Sequence, residues 1–266
     1  MPGTGRIPVC LSIAGSDSGG GAGIQADLKA FARAGTHGTT AITAITAQNT
    51  VAVTAVEAVS PAMIVAQVRA VVEDIGVDAV KVGMLGSVVS AEAVGEAFDL
   101  LPAGIPIVVD PVMVAESGAR LLDEDAQAAL IELVVARATV VTPNLPEARV
   151  LAGDDALEGE ALARAVYALG PGAVVVTGGH RDEAIDVLFD GQRGLELAGP
   201  RYPDGAAHGS GCTHSSTLAA RLALGDDLEA AAREAKRVAS EAVRDGLREL
   251  GAGPGPVDVL GLRPGR

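Results

Sequence analysis

The sequence predicts an α/β fold, a three-layer α/β/α arrangement on a mostly parallel sheet. Three observations point there. Short apolar runs alternate with helical patterns of ten to fifteen residues, the rhythm of βαβ units. Hydrophobic residues make up 48% of the chain while aromatics make up only 2% and Trp is absent, so the core is built from Ala, Val, Leu and Ile. Such side chains suit helices packed on strands that are buried on both faces. The region after residue 184 breaks the rhythm with a hairpin signal, so one antiparallel edge is expected.

In chain order, buried strands are expected at Val9–Ala14, Thr39–Ala44, Ala79–Val82, Pro106–Val109, Thr139–Thr142 and Ala173–Thr177. Helices are expected at Ile24–Arg33, Pro61–Ile75, Ala91–Leu101, Glu124–Val135 and Glu158–Leu169. Ser60-Pro61 supplies an N-cap hydroxyl and a proline at the first helical position. Asp190-Gly191 lies between Ile185–Phe189 and Gly194–Leu197 as a hairpin turn. Two helices follow, Thr213–Leu224 and Asp227–Leu247, and then a tail rich in Gly and Pro. With 266 residues and no long linker or repeat, the chain reads as a single domain, 1–266, with 1–8 and 258–266 as peripheral tails.

A net charge of −14 argues against a nucleic-acid partner. Cys10 and Cys212 form no disulfide framework or CxxC metal pattern, which with a signal-free N-terminus suggests a cytoplasmic protein. The uncharged stretch Ala34–Val56 carries seven Thr and two Gly, so it reads as a helix end and a strand rather than a membrane span.

Chemistry gathers at strand ends. Gly15 to Gly23 holds five glycines in nine residues between a strand and a helix, a place where backbone amides approach a ligand. It has a partial GxGxxG pattern, so a dinucleotide-binding oxidoreductase is weighed, and it lacks the Gly-Lys-Ser/Thr of a P-loop. Gln48-Asn49 ends an apolar strand. His208-Gly209-Ser210-Gly211-Cys212-Thr213 opens a helix, and its amides offer an anion hole for a phosphoryl group. The positive helix end is expected to lower the Cys212 thiol pKa. Cys10, within an apolar strand, is read as a small core residue. Asp110 follows one strand, and Asn144 and Glu147 follow another, a spread oxygen set that suits Mg²⁺. By themselves these three have bland readings as turn and helix caps. An NAD enzyme leaves both the second glycine loop and the Asn144–Glu147 pair unexplained.

Three segments taken together, Ala14 to Asp27, Thr142 to Ala148 and His208 to Thr213, resemble the bacterial hydroxymethylpyrimidine/phosphomethylpyrimidine kinases of thiamine synthesis. Ala47-Gln48-Asn49, Gly83-Met84-Leu85 and Asp110-Pro111-Val112-Met113 share the pattern, so the resemblance runs from about Val9 to Val257. It implies a ribokinase-like fold, a homodimer and the use of ATP with Mg²⁺. It further implies a pyrimidine over Gly15, read by Asp27 and Gln48 and packed by Met84 and Val112. Asn144, Glu147 and Asp110 would position the metal, and Thr177 and Gly179 would lie by the nucleotide. Gly209, Ser210, Gly211 and Cys212 would form the catalytic loop, with Cys212 where sugar-kinase relatives carry an Asp base. Two positions depart from the pattern, Glu116 and Thr177, each where a lysine is usual beside phosphate. Efficient binding of an already phosphorylated substrate is the property these changes bear on. A pyridoxal kinase, and a pyrimidine-binding regulator without catalysis, are the alternative readings.

Overall fold

The computed structural model describes residues 5–113, 122, 125–178, 184–203 and 205–262. Glu116 and Gly179 therefore lie outside the described residues. Among the described residues nine strands form one sheet: β1 Val9–Asp17, β2 His37–Gln48, β3 Val53–Ala58, β4 Ala79–Val82, β5 Ile107–Val109, β6 Val140–Val141, β7 Val174–Val176, β8 Ala184–Phe189 and β9 Gly194–Gly199. Their order is β3-β2-β1-β4-β5-β6-β7-β8-β9. The six strands from β2 to β7 run parallel, and β3 at one edge and β8–β9 at the other run antiparallel.

The described residues also form eight α-helices: α1 Gly23–Ala34, α2 Pro61–Asp74, α3 Val88–Phe98, α4 Ala126–Leu133, α5 Leu145–Ala152, α6 Gly159–Tyr167, α7 Ser210–Ala223 and α8 Leu228–Arg244. Alternation along the strands divides the core into two layers, because successive side chains point to opposite faces. Leu11, Ile13, Val80, Val82, Val109, Val141, Val174 and Val176 pack with α2 to α6. Cys10, Ala79, Val108, Val140, Ala173 and Val175 pack with α1, α7 and α8. Cys10 is a core residue, as its apolar strand implied, and burial pushes its thiol up to about 11. The helices on this second face approach closely because alanines meet there: Ala219 and Ala220 on α7, and Ala231, Ala232 and Ala235 on α8.

Caps agree with the local sequence. Ser60 caps α2 ahead of Pro61, and Ser87 caps α3, which starts three residues before the expected Ala91. Asp227 accepts from the Ala230 amide at the start of α8. By contrast, α7 starts at Gly209 with no side-chain cap. After α8 the chain returns to the body: Val257 and Val259 bury against Ala30 and Ala242, and the Val257 amide bonds the His208 carbonyl.

The expected strands all exist, with two differences. β1 runs on to Asp17, through a register shift at Gly15, so the first glycine loop begins inside the sheet. The antiparallel pairing expected at one edge occurs at both, because β3 folds back on β2 after Asn49.

Candidate active site

The carboxyl ends of the parallel strands and the start of α7 enclose a cavity of about 390 Å³. Its position is the one that open α/β sheets use for ligands. Across the sheet it runs from Gln48 on β2 and Gly15 on β1, past Met84 and Asp110, to Asn144, Thr177 and Asp186 on β8. At the β1–β4 end Gly15 lies under the Met84 thioether, and any Cβ at Gly15 would collide with it. Gln48 and Val112 line the same end.

The two glycine loops fit against each other. Gly209 has φ 87°, and a side chain there would strike the Gly21 carbonyl, so glycine is required both by conformation and by space. The first loop wraps a protein carboxylate. Gly19 and Ala22 amides donate to Asp17 at 2.8 Å each, and the Gly21 amide donates at 3.1 Å. His208 completes the set at 3.0 Å. Burial works against the Asp17 charge, yet His208 and the amides outweigh it and hold the carboxyl below the usual range. These amides, expected to face a ligand, are instead occupied by an internal anion.

The second loop keeps its amides available. The Ser210 N–H is bonded to the Ala207 carbonyl, and Thr213 N–H to the Gly209 carbonyl. Gly211 and Cys212 are the second and third residues of α7, where N–H groups have no intrahelical acceptor, and no side chain caps them. Among the described residues, a Cβ at Gly211 would meet only Asp110 Oδ2, at 3.8 Å, so their packing alone does not demand glycine there.

The Cys212 thiol is shifted opposite to expectation. Burial pushes it up to about 12; Lys81 opposes this, and Asp27 and Asp110 add to it. Enclosure near two carboxylates overrides the helix-end effect.

Asp27 requires a second correction. It is fully buried beneath the cavity and does not line it. Its carboxylate accepts from Ser12 at 2.5 Å, Ser216 at 2.7 Å and the Lys81 ammonium at 2.9 Å. No lone pair direction is left for a pyrimidine edge. Lys81, from the all-buried strand β4, does line the cavity. Burial pulls its ammonium down, but Asp27, Cys212 and Asp110 together raise it above the usual lysine value.

Asn144 and Glu147 form the capping box of α5, each side chain accepting from the other's amide at 2.9 Å. Asp110 accepts from Ser215 at 3.1 Å. Burial raises the Asp110 carboxyl, and burial with the Asp110 charge raises Glu147 to about 8. No group of three or more His, Cys, Asp or Glu able to hold a metal exists among the described residues. A pair of carboxylates nevertheless suits Mg²⁺, which binds through one or two of them and completes its shell with water and phosphate.

Among the cavity residues that had no role of their own in the sequence reading, five are Asp17, Lys81, Asp186, His208 and His214. A sixth is Lys236, whose ammonium meets Asp186 at 2.7 Å. Lys81 had a signal, a lone lysine inside Ala79–Val82, and a charge at such a place needs a buried partner.

Helices on both faces of a mostly parallel sheet, with an uncapped helix start beside the Asp110 carboxyl, define a phosphoryl-transferring enzyme of the ribokinase-like class. Residues 17–258 match the family model described as phosphomethylpyrimidine kinase. A hydroxymethylpyrimidine/phosphomethylpyrimidine kinase from Rhizobium meliloti is 49% identical over 257 residues, 94% of this chain and 96% of the relative. A solved phosphomethylpyrimidine kinase from Clostridium difficile is 40% identical with a TM-score of 0.77, covering 90% of this chain and all of that one. The solved pyridoxal kinase from Staphylococcus aureus, in complex with ADP, has a TM-score of 0.87 at 33% identity over 96% of this chain and 94% of its own. The chain belongs to the phosphomethylpyrimidine kinase family.

Proposed function

We propose that this chain transfers the γ-phosphoryl group of ATP to the hydroxymethyl group of 4-amino-5-hydroxymethyl-2-methylpyrimidine, and then phosphorylates the monophosphate, in thiamine synthesis. The observation that carries the reading is the placement of the uncapped start of α7, with Gly211 and Cys212, beside Asp110 in the cavity that Glu147 also lines. Gly15, Met84 and Val112 offer a flat apolar seat for a ring, and the Gln48 amide reads its polar edge. Asp110 and Glu147 would hold Mg²⁺, with the Asn144 side chain fixing Glu147 through the capping box. That ion would supply charge neutralisation for the phosphates.

The chain's own residues then do the following. Gly15 and Met84 orient the ring, and the α7 amides hold the equatorial oxygens as charge spreads over them. The hydroxyl oxygen forms a bond to the γ-phosphorus as the bond to the bridging β–γ oxygen breaks, ADP leaves with the electron pair, and the hydroxyl proton passes to an oxygen of the transferred phosphoryl group and on to solvent. A thiol near 12 keeps its own proton at neutral pH, so Cys212 acts as a hydrogen-bond partner that orients the hydroxyl. A loose transition state demands little of a base. Lys81 keeps a positive charge under the site without entering the chemistry.

No helix among the described residues is long and apolar enough to cross a membrane, and a cytoplasmic enzyme is part of this reading. So is a homodimer, supported by the exposed Ile45, Val56 and Met63 on β2, β3 and α2. Pyridoxal is a second acceptor to be weighed, because the pyridoxal kinase of Staphylococcus aureus matches this backbone at a TM-score of 0.87. The test is incubation with Mg-ATP and hydroxymethylpyrimidine, its monophosphate or pyridoxal, with products identified by mass. Mono- and diphosphate of the pyrimidine are expected; pyridoxal phosphate alone would reassign the enzyme.

A further inference from the structure

After α8 the chain turns back and runs against the residue that precedes α7. Residues 251–256 read in sequence only as Gly, Ala and Pro, yet residues 255–259 are buried. Val257 and Val259 are 4% and 2% exposed, and they pack with Ala30 of α1 and Ala242 of α8. Hydrogen bonds fix the segment along its length. Leu247 N–H donates to the Pro256 carbonyl at 2.8 Å, Asp258 N–H to the Ala242 carbonyl at 2.9 Å, and Arg33 Nη1 to the Val259 carbonyl at 2.9 Å. From this anchored position Val257 N–H reaches the His208 carbonyl at 3.1 Å, and Pro256 pairs with His208 in an isolated parallel bridge.

His208 stands immediately before Gly209, where α7 starts with no side-chain cap. A helix start without a cap leaves its first amides unpaired and prone to fray. Here the end is held from outside the helix. His208 Nε2 rests on Asp17 at 3.0 Å, its carbonyl on the Val257 amide, and its ring against Gly21. A Cβ at Gly21 would overlap the His208 ring and meet Pro256 Cβ at 3.1 Å. Gly21 has no positive φ, so this closeness, not the backbone conformation, sets the need for glycine. Apolar burial explains Val259. It does not explain why Pro256 and the Val257 amide meet the residue that opens the second glycine loop.

We propose that Pro256 and Val257 are positioning residues for phosphoryl transfer. With Gly21 and Asp17 they clamp His208, and the clamp does for α7 what a side-chain cap would do, fixing the Gly211 and Cys212 amides. Neither Pro256 nor Val257 lines the cavity, so both act through His208. The inference rests on the kinase reading above, in which those amides hold the phosphoryl group. A misplacement of about 1 Å can cost about 10²-fold in rate. Displacing the clamp should therefore slow transfer while the acceptor seat at Gly15, Met84 and Val112 stays in place.

The experiment measures single-turnover phosphorylation at saturating Mg-ATP, the dependence of its rate on pyrimidine concentration, and amide hydrogen exchange at Ser210 and Thr213. Four full-length variants are compared with wild type. Gly21→Ala wedges the clamp and keeps every donor. Val257→Pro deletes the amide, Val257→Ala keeps it, and Val259→Ala loosens the packing on Ala30 and Ala242. The proposal expects transfer about tenfold to a hundredfold slower in Gly21→Ala and Val257→Pro, with pyrimidine half-saturation within about threefold of wild type and faster exchange at Ser210 and Thr213. Val257→Ala and Val259→Ala should melt at lower temperature yet transfer within about threefold of the wild-type rate. Wild-type rates in both Gly21→Ala and Val257→Pro would overturn the proposal. Equal slowing in Val259→Ala would also overturn it, by making the segment a matter of stability alone. Weaker pyrimidine binding at an unchanged maximal rate would assign the clamp to the acceptor seat and equally overturn it. If Val257→Pro fails to fold, Gly21→Ala carries the comparison, since it removes no bond and asks only the His208 and Pro256 rings to shift. A wild type that phosphorylates nothing would remove the kinase reading, and unchanged exchange at Ser210 and Thr213 in Gly21→Ala would separately remove the clamp.

Discussion

His208 Nε2 meets the Asp17 carboxylate at 3.0 Å across 191 residues of sequence. The contact locks the first glycine loop against the turn that opens α7. Three backbone amides converge on the same carboxylate, so Asp17 acts as an internal anion around which one loop is wound and to which the other is tied. The α7 amides proposed to hold phosphate thereby inherit their position from Asp17 and His208.

Asp17→Asn removes the charge and turns an amide N–H toward existing donors. A loss of about 1.5–3 kcal/mol in unfolding free energy is expected, since hydrogen bonds to charged groups are in that range. The sign of the pH effect follows from the lowered pKa. The contribution of Asp17 is present above its unfolded value and fades as pH falls through the folded one. Urea titrations of wild type and Asp17→Asn at neutral and acidic pH should converge at low pH.

Asp27→Asn is expected to act on stability rather than on substrate affinity. It leaves the fully buried Lys81 without its counter-charge, and breaking a buried pair costs about 3–5 kcal/mol. Removing both charges, in Asp27→Asn/Lys81→Met, should recover much of that loss. A large rise in the KM for pyrimidine with unchanged stability in Asp27→Asn would return Asp27 to the binding site.

These two aspartates show where the sequence was legible and where it was not. The strands from Val9 to Val176 announce themselves because burial on both faces leaves uninterrupted apolar runs. β3, Val53–Ala58, has five exposed residues and no core face, so no periodic signal marks it. The glycine loops were visible as loops, but whether their amides meet a ligand or a carboxylate depends on His208, contributed from across the chain. Asp27 matched a motif by position, yet its partners Ser12, Lys81 and Ser216 come from three other elements. The Asp186, His214 and Lys236 cluster has no local pattern at all, because one helix and one strand each contribute a single residue and α8 contributes the third.

Gln48→Ala should weaken pyrimidine binding more than nucleotide binding. Gln48 lies at the far end of the cavity from Thr177 and Asp186, and an unread ring edge costs about 1–3 kcal/mol. Equal changes in the KM values of the two substrates would move the ring elsewhere.

Glu147 sets a pH dependence in the metal-free enzyme. Burial, then the charge of Asp110, raises it to about 8. A raised carboxyl contributes stability that is complete below its unfolded value and lost as pH rises through the folded one. The metal-free protein should therefore lose thermal stability between about pH 5 and 8, and added Mg²⁺ should protect it most at the alkaline end. Glu147→Gln keeps the capping box, since glutamine serves at that position, and should flatten both trends while lowering kcat. Melting curves with and without Mg²⁺ across pH provide the check.

The central claim is that backbone amides at the start of α7, rather than the Cys212 thiol, hold the group in transfer. Single-turnover phosphorylation at saturating Mg-ATP and hydroxymethylpyrimidine tests it with Gly211→Val and Cys212→Ala side by side. Among the described residues a Cβ at Gly211 meets only Asp110 Oδ2, at 3.8 Å, so Gly211→Val is expected to melt like wild type while its turnover is abolished by side-chain bulk beside the amides. Cys212→Ala keeps every amide and should lose less than the roughly 10²-fold that marks removal of a general base. Transfer at the wild-type rate in folded Gly211→Val, or a Cys212→Ala enzyme slowed by about 10⁴-fold, would contradict the account.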